Sequence, residues 1–436
     1  MLFNLMQGFD DTGEMSPIVG GGVRLAAITS RWVFSTGIAR TLRCGDTWVD
    51  RLPALAERLG PAYVKLAQLV STRADIIPAS LGAALGRLQE NGSPLSADYL
   101  REQLAAAGLV VGDAEPEPRM LGAGSIACVY LLSLHGREPM AVKVLRPEVR
   151  KSLDRDLRSM RRAARIMARI PPFRRLPVVD MVDHATFIIA GQSSFRREAG
   201  NLETLRARLA GHNVFMPALI DVPNDDVLCM EYLSVFDGHR NAERADVDRK
   251  VGARALVEAV FLMLFDIGIV HCDLHPGNVA VDADGVHIVD AGFVAETTPD
   301  LRRQFREFFL GLSFGNGPRC AESVIDAAVI IPSAFDREEF VARMTDLVGR
   351  YANLPAAKFN IGAFVAELFT IQRNFDIYVS AEFVIPILTL LVIEGTIRDW
   401  DPDLDFQRIA QPIILRAVVR DREHGTQDDA SRDPVF

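Results

Sequence analysis

The hydrophobic pattern of this chain changes character several times along its length. From Leu52 to Glu90 apolar residues recur at helical spacing, with Leu55, Leu59, Leu66, Leu69 and Val70 expected to supply the buried face. Pro78 and the steps Asn91-Gly92 and Ser93-Pro94 punctuate this region, and a helix near Ala97–Ala107 is expected to end at Gly108. Between residues 120 and 146 the pattern becomes strand-like. Ile126–Leu132 and Met140–Leu145 flank His135-Gly136-Arg137, which predicts an antiparallel hairpin. Helices follow over Lys151–Ile170 and about Phe187–Leu209, and Val227–Leu233 reads as a strand. Beyond it the pattern is mostly helical, broken by short strands around residues 270 to 290. The first 50 residues, with Gly20-Gly21-Gly22, read as a peripheral segment, and the polar stretch from Asp421 as a disordered tail.

Composition narrows the function classes. A chain of 436 residues can bury a large core, and its net charge of −9 with a pI near 5.5 argues against nucleic acid as a partner. Its 5 cysteines include no CxxC pair, so neither a disulfide framework nor a zinc site is indicated, as suits a reducing cytoplasm. Met1–Asp11 lacks the basic residues and apolar run of a signal peptide. The longest apolar run, Phe383–Ile393, is well short of the roughly 20 residues that span a bilayer. A cytoplasmic chain, at most peripheral to a membrane, is therefore expected.

The candidate chemistry lies in His271-Cys272-Asp273-Leu274-His275-Pro276-Gly277-Asn278 and Ile288-Val289-Asp290-Ala291-Gly292. Phosphoryl transfer needs a carboxylate to take the acceptor's proton or orient water. It also needs oxygen ligands that fix metal ions against the polyphosphate. Asp273 fits the first role. Asn278, 5 residues on, and Asp290, at the end of an apolar run, fit the second. Leu121-Gly122-Ala123-Gly124-Ser125-Ile126-Ala127-Cys128-Val129 follows the spacing of a glycine-rich nucleotide loop, with Ala127 at the third glycine position. Small residues there let backbone N–H groups approach the phosphates, and Gly124 can reach positive φ. Lys143, in Met140-Ala141-Val142-Lys143, is then the phosphate-contacting lysine, and Glu198 is the carboxylate expected to orient it. ATP and Mg²⁺ are the expected cofactors, with Gly122, Ala123, Gly124, Ser125, Val129 and Glu231 along the nucleotide's path. Between Lys143 and Glu198 an amphipathic insertion sets Leu153, Leu157, Met160, Ala164 and Met167 against Arg155, Arg158, Arg161, Arg162, Arg165 and Arg169. It reads either as an ordinary solvated helix or as a contact for an anionic membrane.

His-x-Asp-x-His-Pro-Gly-Asn resembles both aminoglycoside/choline-type phosphotransferases and the UbiB/ADCK atypical kinases. Other segments favour the second. Gly60–Arg73 contains Lys65-Leu66-Ala67-Gln68, similar to that family's KxGQ signature, and Asp75-Ile76-Ile77-Pro78 and Leu88-Gln89 continue the likeness. Val142–Pro147, Arg197–Asn201, Glu394-Gly395 and Asp401–Leu404 extend it, so that it runs from about residue 53 to 415. The resemblance implies an α+β, two-lobed protein-kinase-like fold with an N-terminal helical KxGQ-type extension. The expected division is a peripheral segment over 1–50, the extension over 51–110, an N-lobe with its insertion over 111–235, a helical C-lobe over 236–420 and the tail over 421–436. It also implies an atypical kinase or ATPase in which Lys65 and Gln68 border the nucleotide cleft. The acceptor would be a small or lipid-like molecule, with quinone or isoprenoid synthesis as the implied setting. Three departures bear on this. Ala67 replaces the signature's glycine, Gln192 and Ser194 stand where the family has two acids, and Gly122 and Gly124 replace alanines. The hydrophobic C-terminal tail of the ubiquinone-linked members is also missing from the pattern. A small-molecule phosphotransferase and a non-catalytic nucleotide-binding scaffold remain the alternatives.

Overall fold

The computed structural model describes residues 49–430, apart from 72–78, 87, 89–92, 113–115, 148, 171–173, 175, 238–248, 353 and 355–357. The family likeness at 75–78 and Gln89, Arg73, and the N-terminal glycines lie outside the described residues. The chain divides into two compact units. One comprises residues up to Leu131 together with Lys143–Ser194, the other Leu132–Val142 together with Phe195 onward.

The first unit opens with α1 (Leu52–Leu59), α2 (Pro61–Ser71) and α3 (Ala79–Leu85). Gly60, at φ +117°, ends α1, and Pro61 starts a new helix whose phase is independent of the first. The buried face therefore differs from the one the continuous pattern predicts. Ala56, Val64, Ala67, Leu85 and Leu88 form the cluster, joined by Leu52, Val70 and Leu81; Leu59 is buried as expected, while Leu55, Leu66 and Leu69 are only half-buried. The methyl of Ala67 is part of this cluster, which gives the alanine in the KxGQ-like segment a packing role. Helix α4 (Ala97–Ala106) is followed by left-handed Gly108 at φ +72°, as its sequence predicts, and is capped at its start by the Ser96 hydroxyl.

Strand β1 (Arg119–Ala123) pairs antiparallel with β2 (Ala127–Leu132), and β2 is neighboured by β3 (Met140–Leu145). Gly136 sits at φ +74° in the β2–β3 turn. All six residues of β3 are buried. Helix α5 (Val149–Met167) buries Leu153, Leu157, Met160 and Ala164 and packs against α6 (Val178–Gly191). Met167 leaves the expected stripe and is exposed. The single helix expected over about Phe187–Leu209 is two. Gln192-Ser193-Ser194 form a turn after α6, because short hydroxyl side chains compete for the backbone groups that would continue the helix. The Ser193 hydroxyl donates to the Ala190 carbonyl at 2.8 Å, and the Arg150 guanidinium donates to the Ser193 carbonyl.

The second unit begins with α7 (Phe195–Arg208), β4 (Val214–Phe215) and the antiparallel pair β5 (Leu219–Asn224) and β6 (Val227–Glu231). Helix α8 (Arg249–Leu262) continues into one π turn, Met263–Ile267, stopped by left-handed Gly268. The strands that carry the candidate chemistry follow: β7 (Ile269–His271), β8 (Val279–Val281), β9 (Val286–Ile288) and β10 (Val294–Glu296). β7 pairs with β10, β8 with β9, and β4 runs parallel to β9. Helices α9 (Pro299–Ser313) and α10 (Gly317–Asp326), strand β11 (Ala328–Ile330), helices α11 (Arg337–Ala352) and α12 (Ile361–Asn374), strand β12 (Tyr378–Val379) and helices α13 (Ala381–Trp400) and α14 (Phe406–Ala430) complete it. Phenylalanines dominate its core, including a Phe305–Phe383 stack at 4.6 Å. Helix α14 runs through Ala430, past Asp421, where the sequence predicts a disordered tail. Among the described residues no helix is long and apolar enough to cross a membrane.

Candidate active site

The second unit ties two loops together through hydrogen bonds that span many residues. His271 ends β7 fully buried. Its Nδ1 accepts the Asp273 N–H at 3.2 Å, and its Nε2 lies 3.2 Å from the Val289 carbonyl. Since Nδ1 accepts, Nε2 carries the proton and donates, which fixes a neutral tautomer. Burial holds this imidazole below its ordinary value, an effect that the nearby Asp273 and Asp290 carboxylates only partly offset. The Asn278 Nδ2 donates to the Asp273 carbonyl at 2.9 Å, and the Val289 N–H donates to the Asn278 carbonyl at 3.0 Å. The five-residue spacing from Asp273 to Asn278 thus closes a turn directly beside the residue that precedes Asp290.

Asp290 has φ +61°, a left-handed conformation that costs a non-glycine residue on the order of 1–3 kcal/mol. Its Oδ1 accepts the Gly292 N–H at 3.2 Å. Gly292 leaves little room for a side chain. A Cβ there would lie 3.0 Å from Asp290 Oδ1 and 3.1 Å from Glu198 Oε2. Glu198 is 3% exposed near the start of α7, and one turn later the Asn201 Nδ2 donates to the Ala291 carbonyl at 3.2 Å. Sequence reasoning placed Glu198 on this helix but gave Asn201 and His271 no role. Asparagine in a helix and histidine at a strand end carry no distinctive local signal.

His275 also went unassigned. Its Nδ1 accepts the Gly277 N–H at 2.9 Å, which turns Nε2 toward Asp273 Oδ1 at 3.8 Å. Gly277 makes this possible, because a Cβ would meet the ring at 2.8 Å. Cys272, between the two, is pushed up to about 12 by burial and stays a neutral thiol.

In the first unit, the Gly124 N–H donates to the Ala127 carbonyl at 2.9 Å, so this amide closes the loop turn instead of pointing outward. Arg146 braces the loop, its Nε donating to the Gly124 carbonyl at 2.8 Å and its Nη2 to the Ser93 carbonyl at 2.7 Å. Gly122, Ala123 and Ser125 are half-buried, as is Val129, which shares its strand face with Leu131. Gly122 shows no left-handed φ. Lys143 is 8% exposed on β3. Lys65 is half-buried on α2, and the Gln68 amide donates to the Leu88 carbonyl at 3.1 Å, binding α2 to the segment after α3. The Gln192 Oε1 is buried without a hydrogen-bond partner among the described residues. In the second unit, the exposed Glu231 carboxylate accepts the Ala218 N–H at 2.9 Å, so its side chain anchors β5.

The donor set suits Mg²⁺. With Nδ2 of Asn278 engaged, its Oδ1 is the atom left for a cation, and its backbone carbonyl binds the residue before Asp290. Among the described residues no group of three or more His, Cys, Asp or Glu side chains forms a self-sufficient cage. Elsewhere, a groove of about 600 Å³ between α11 and α12 is lined by Arg343, Arg350, Glu339 and Glu367, whose charges already pair with one another.

Comparison with known proteins agrees with these features. Residues 114–324 match the ABC1 atypical kinase-like domain, and 344–405 match the UbiB helical domain. A protein from Aliivibrio fischeri (strain MJ11), named Probable protein kinase UbiB, is 27% identical over 404 residues, covering 87% of this chain and 74% of its own length. Proteins of the same name from Tolumonas auensis and Vibrio cholerae are 28% and 29% identical, with 84% of this chain and 69% and 70% of theirs covered. A solved structure of Rv3197 from Mycobacterium tuberculosis, in complex with erythromycin, superposes with a TM-score of 0.51 at 17% identity. It covers 89% of this chain and 98% of its own, and so supports the kinase-like fold. The chain belongs to the UbiB family of atypical kinase-like proteins, with an ABC1 kinase-like domain followed by a UbiB helical domain.

Proposed function

We propose that the chain binds Mg²⁺-ATP and either hydrolyses it or transfers its terminal phosphate. The observation that carries this reading is the joined pair of loops, in which Asn278 bonds to Asp273 on one side and to Val289, next to Asp290, on the other. Asp290 and Asn278 would hold Mg²⁺, which supplies charge neutralisation on the polyphosphate. Asp273 accepts the proton of the acceptor hydroxyl or orients the attacking water. His275 Nε2 lies 3.8 Å from Asp273 Oδ1, near that carboxylate but beyond hydrogen-bond distance. Lys143 contacts the phosphates, the Gly122–Ser125 loop covers them, and the buried Glu198 carboxylate borders the metal loop at Gly292. Lys65 and Gln68 border the cleft as the family resemblance implies, with Val129 and Glu231 along the nucleotide. Water or a hydroxylated, lipid-like acceptor fits the reading, in the quinone or isoprenoid setting that the family implies. Steady-state phosphate release with Mg²⁺-ATP tests it. Asp273→Asn should bind nucleotide normally and lose turnover. Normal turnover in that variant would contradict the assignment.

A peripheral contact with an anionic membrane has a specific observation in its favour. At the arginine-rich end of α5, Ile166, Met167 and Ile170 are 62%, 37% and 43% exposed, and Phe187 on the adjacent α6 is 56% exposed. Apolar residues set among arginines match a lipid headgroup boundary, where each basic residue contributes about 1 kcal/mol. Binding to phosphatidylglycerol vesicles should weaken with salt and with Arg158, Arg162 and Arg165 changed to Gln. Equal recovery on neutral and anionic vesicles would remove the idea.

A further inference from the structure

We infer that Asn201 is a positioning residue for Asp290, holding the metal loop in its left-handed conformation and coupling it to α7. The inference rests on the reading of Asp290 as a Mg²⁺ ligand and extends it to a residue that binds the neighbouring Ala291 carbonyl. Glu198 and Asn201 lie one turn apart on the same face of α7, 3% and 8% exposed. Both meet the metal loop, at successive residues. Asn201 grips the Ala291 carbonyl at 3.2 Å, and the Glu198 Oε2 abuts Gly292, 3.1 Å from where its Cβ would be.

The Ala291 carbonyl belongs to the peptide that carries the Gly292 N–H, and that N–H binds Asp290 Oδ1. Fixing the carbonyl therefore fixes the direction of the amide that orients the carboxylate. A non-glycine residue at φ +61° persists only where its neighbours over-determine it. The Asn201 amide is a long-range side-chain donor to this loop, reaching across 90 residues of sequence, beside the His271 contact to Val289. If it is lost, Asp290 can relax toward an ordinary φ and carry its oxygens away from the cation. A residue that only packs α7 against the loop would lower stability and leave the metal alone.

Asn201→Leu and Asn201→Asp keep the side chain's size and remove the donor. Two readouts separate positioning from packing. The first is the Mg²⁺ concentration that half-saturates ATP binding in the full chain. It should rise about 10- to 100-fold, as for other residues that orient metal ligands, with Mg²⁺-free ATP affinity within about twofold of wild type. The second needs no metal: hydrogen exchange at the Gly292 amide should speed up by about tenfold or more. Asn201→Ser keeps a donor and should recover part of both effects, and it decides the matter if the other two variants do not fold. Unchanged Mg²⁺ dependence and unchanged Gly292 exchange in a folded Leu or Asp variant would overturn the inference. Asp290→Asn in the same assay identifies which claim has failed. If it too leaves Mg²⁺ dependence unchanged, the metal reading falls and takes this inference with it. If it abolishes that dependence while the Asn201 variants match wild type, the inference alone falls.

Discussion

At Gly122 an added Cβ would meet nothing within 4 Å, whereas at Gly292 it would press on two carboxylate oxygens at 3.0 and 3.1 Å. Both glycines sit in loops assigned to the same reaction, yet physics asks different things of them. The first loop lies between two strands, braced from behind by Arg146 and closed on itself by the Gly124–Ala127 bond. Its smallness leaves surface for a ligand. The second is enclosed by α7 and by the strand carrying His271, and its glycine makes room for charges that belong to the protein. Glycine in a motif therefore has two meanings, and only the packing around it tells them apart.

Substitutions can break or sharpen that contrast. Gly292→Ala should have the largest effect, since overpacking against fixed groups costs typically 1–3 kcal/mol. It should also weaken Mg²⁺-dependent nucleotide binding, read by calorimetry beside urea unfolding. Wild-type stability in that variant would show that the metal loop has slack. Next comes Ala67→Gly, which removes a buried methyl and loosens a helix, for about 1–2 kcal/mol by urea unfolding. No loss would mean the family's glycine is equally suited here.

The third effect concerns pH. The folded His271 binds its proton below the ordinary imidazole value near 6.5, so the unfolded chain takes up that proton first as pH falls. The stabilisation is fully present above about pH 6.5 and is lost as pH drops toward the folded value, by at most about 1.4 kcal/mol per pH unit. His271→Asn should flatten the slope between about pH 7 and 5 in urea titrations, and an unchanged slope would place the sensitivity elsewhere. The smallest effect is expected at Gly122→Ala, with stability altered by no more than about 1 kcal/mol and any change confined to nucleotide affinity. A large destabilisation there would erase the contrast between the two loops.

What was legible in the sequence follows from the range of the interactions involved. The β2–β3 hairpin and the end of α4 at Gly108 depend on neighbours within a few residues, and their patterns predicted them. The buried face of α2 was misplaced because Gly60 resets the helical phase, and a periodicity count assumes one continuous helix. The turn at Gln192–Ser194 went unseen because serine is only mildly unfavourable in a helix. Asn201 and His271 owe their roles to partners 90 and 18 residues away, which no local window contains. Glu231 was placed along the nucleotide by its position on a strand leading to the hinge, and the bond from the Ala218 N–H to its carboxylate, 13 residues away, had no local signal.

The central claim is that Asp290 and Asn278 form a Mg²⁺-dependent nucleotide site. Calorimetric titration of ATP into the full chain, with and without Mg²⁺, in wild type and Asp290→Asn, tests it most directly. Mg²⁺ should tighten ATP binding in wild type, and Asp290→Asn should fold normally and lose this tightening. Equal Mg²⁺-ATP affinity in the two proteins would contradict it.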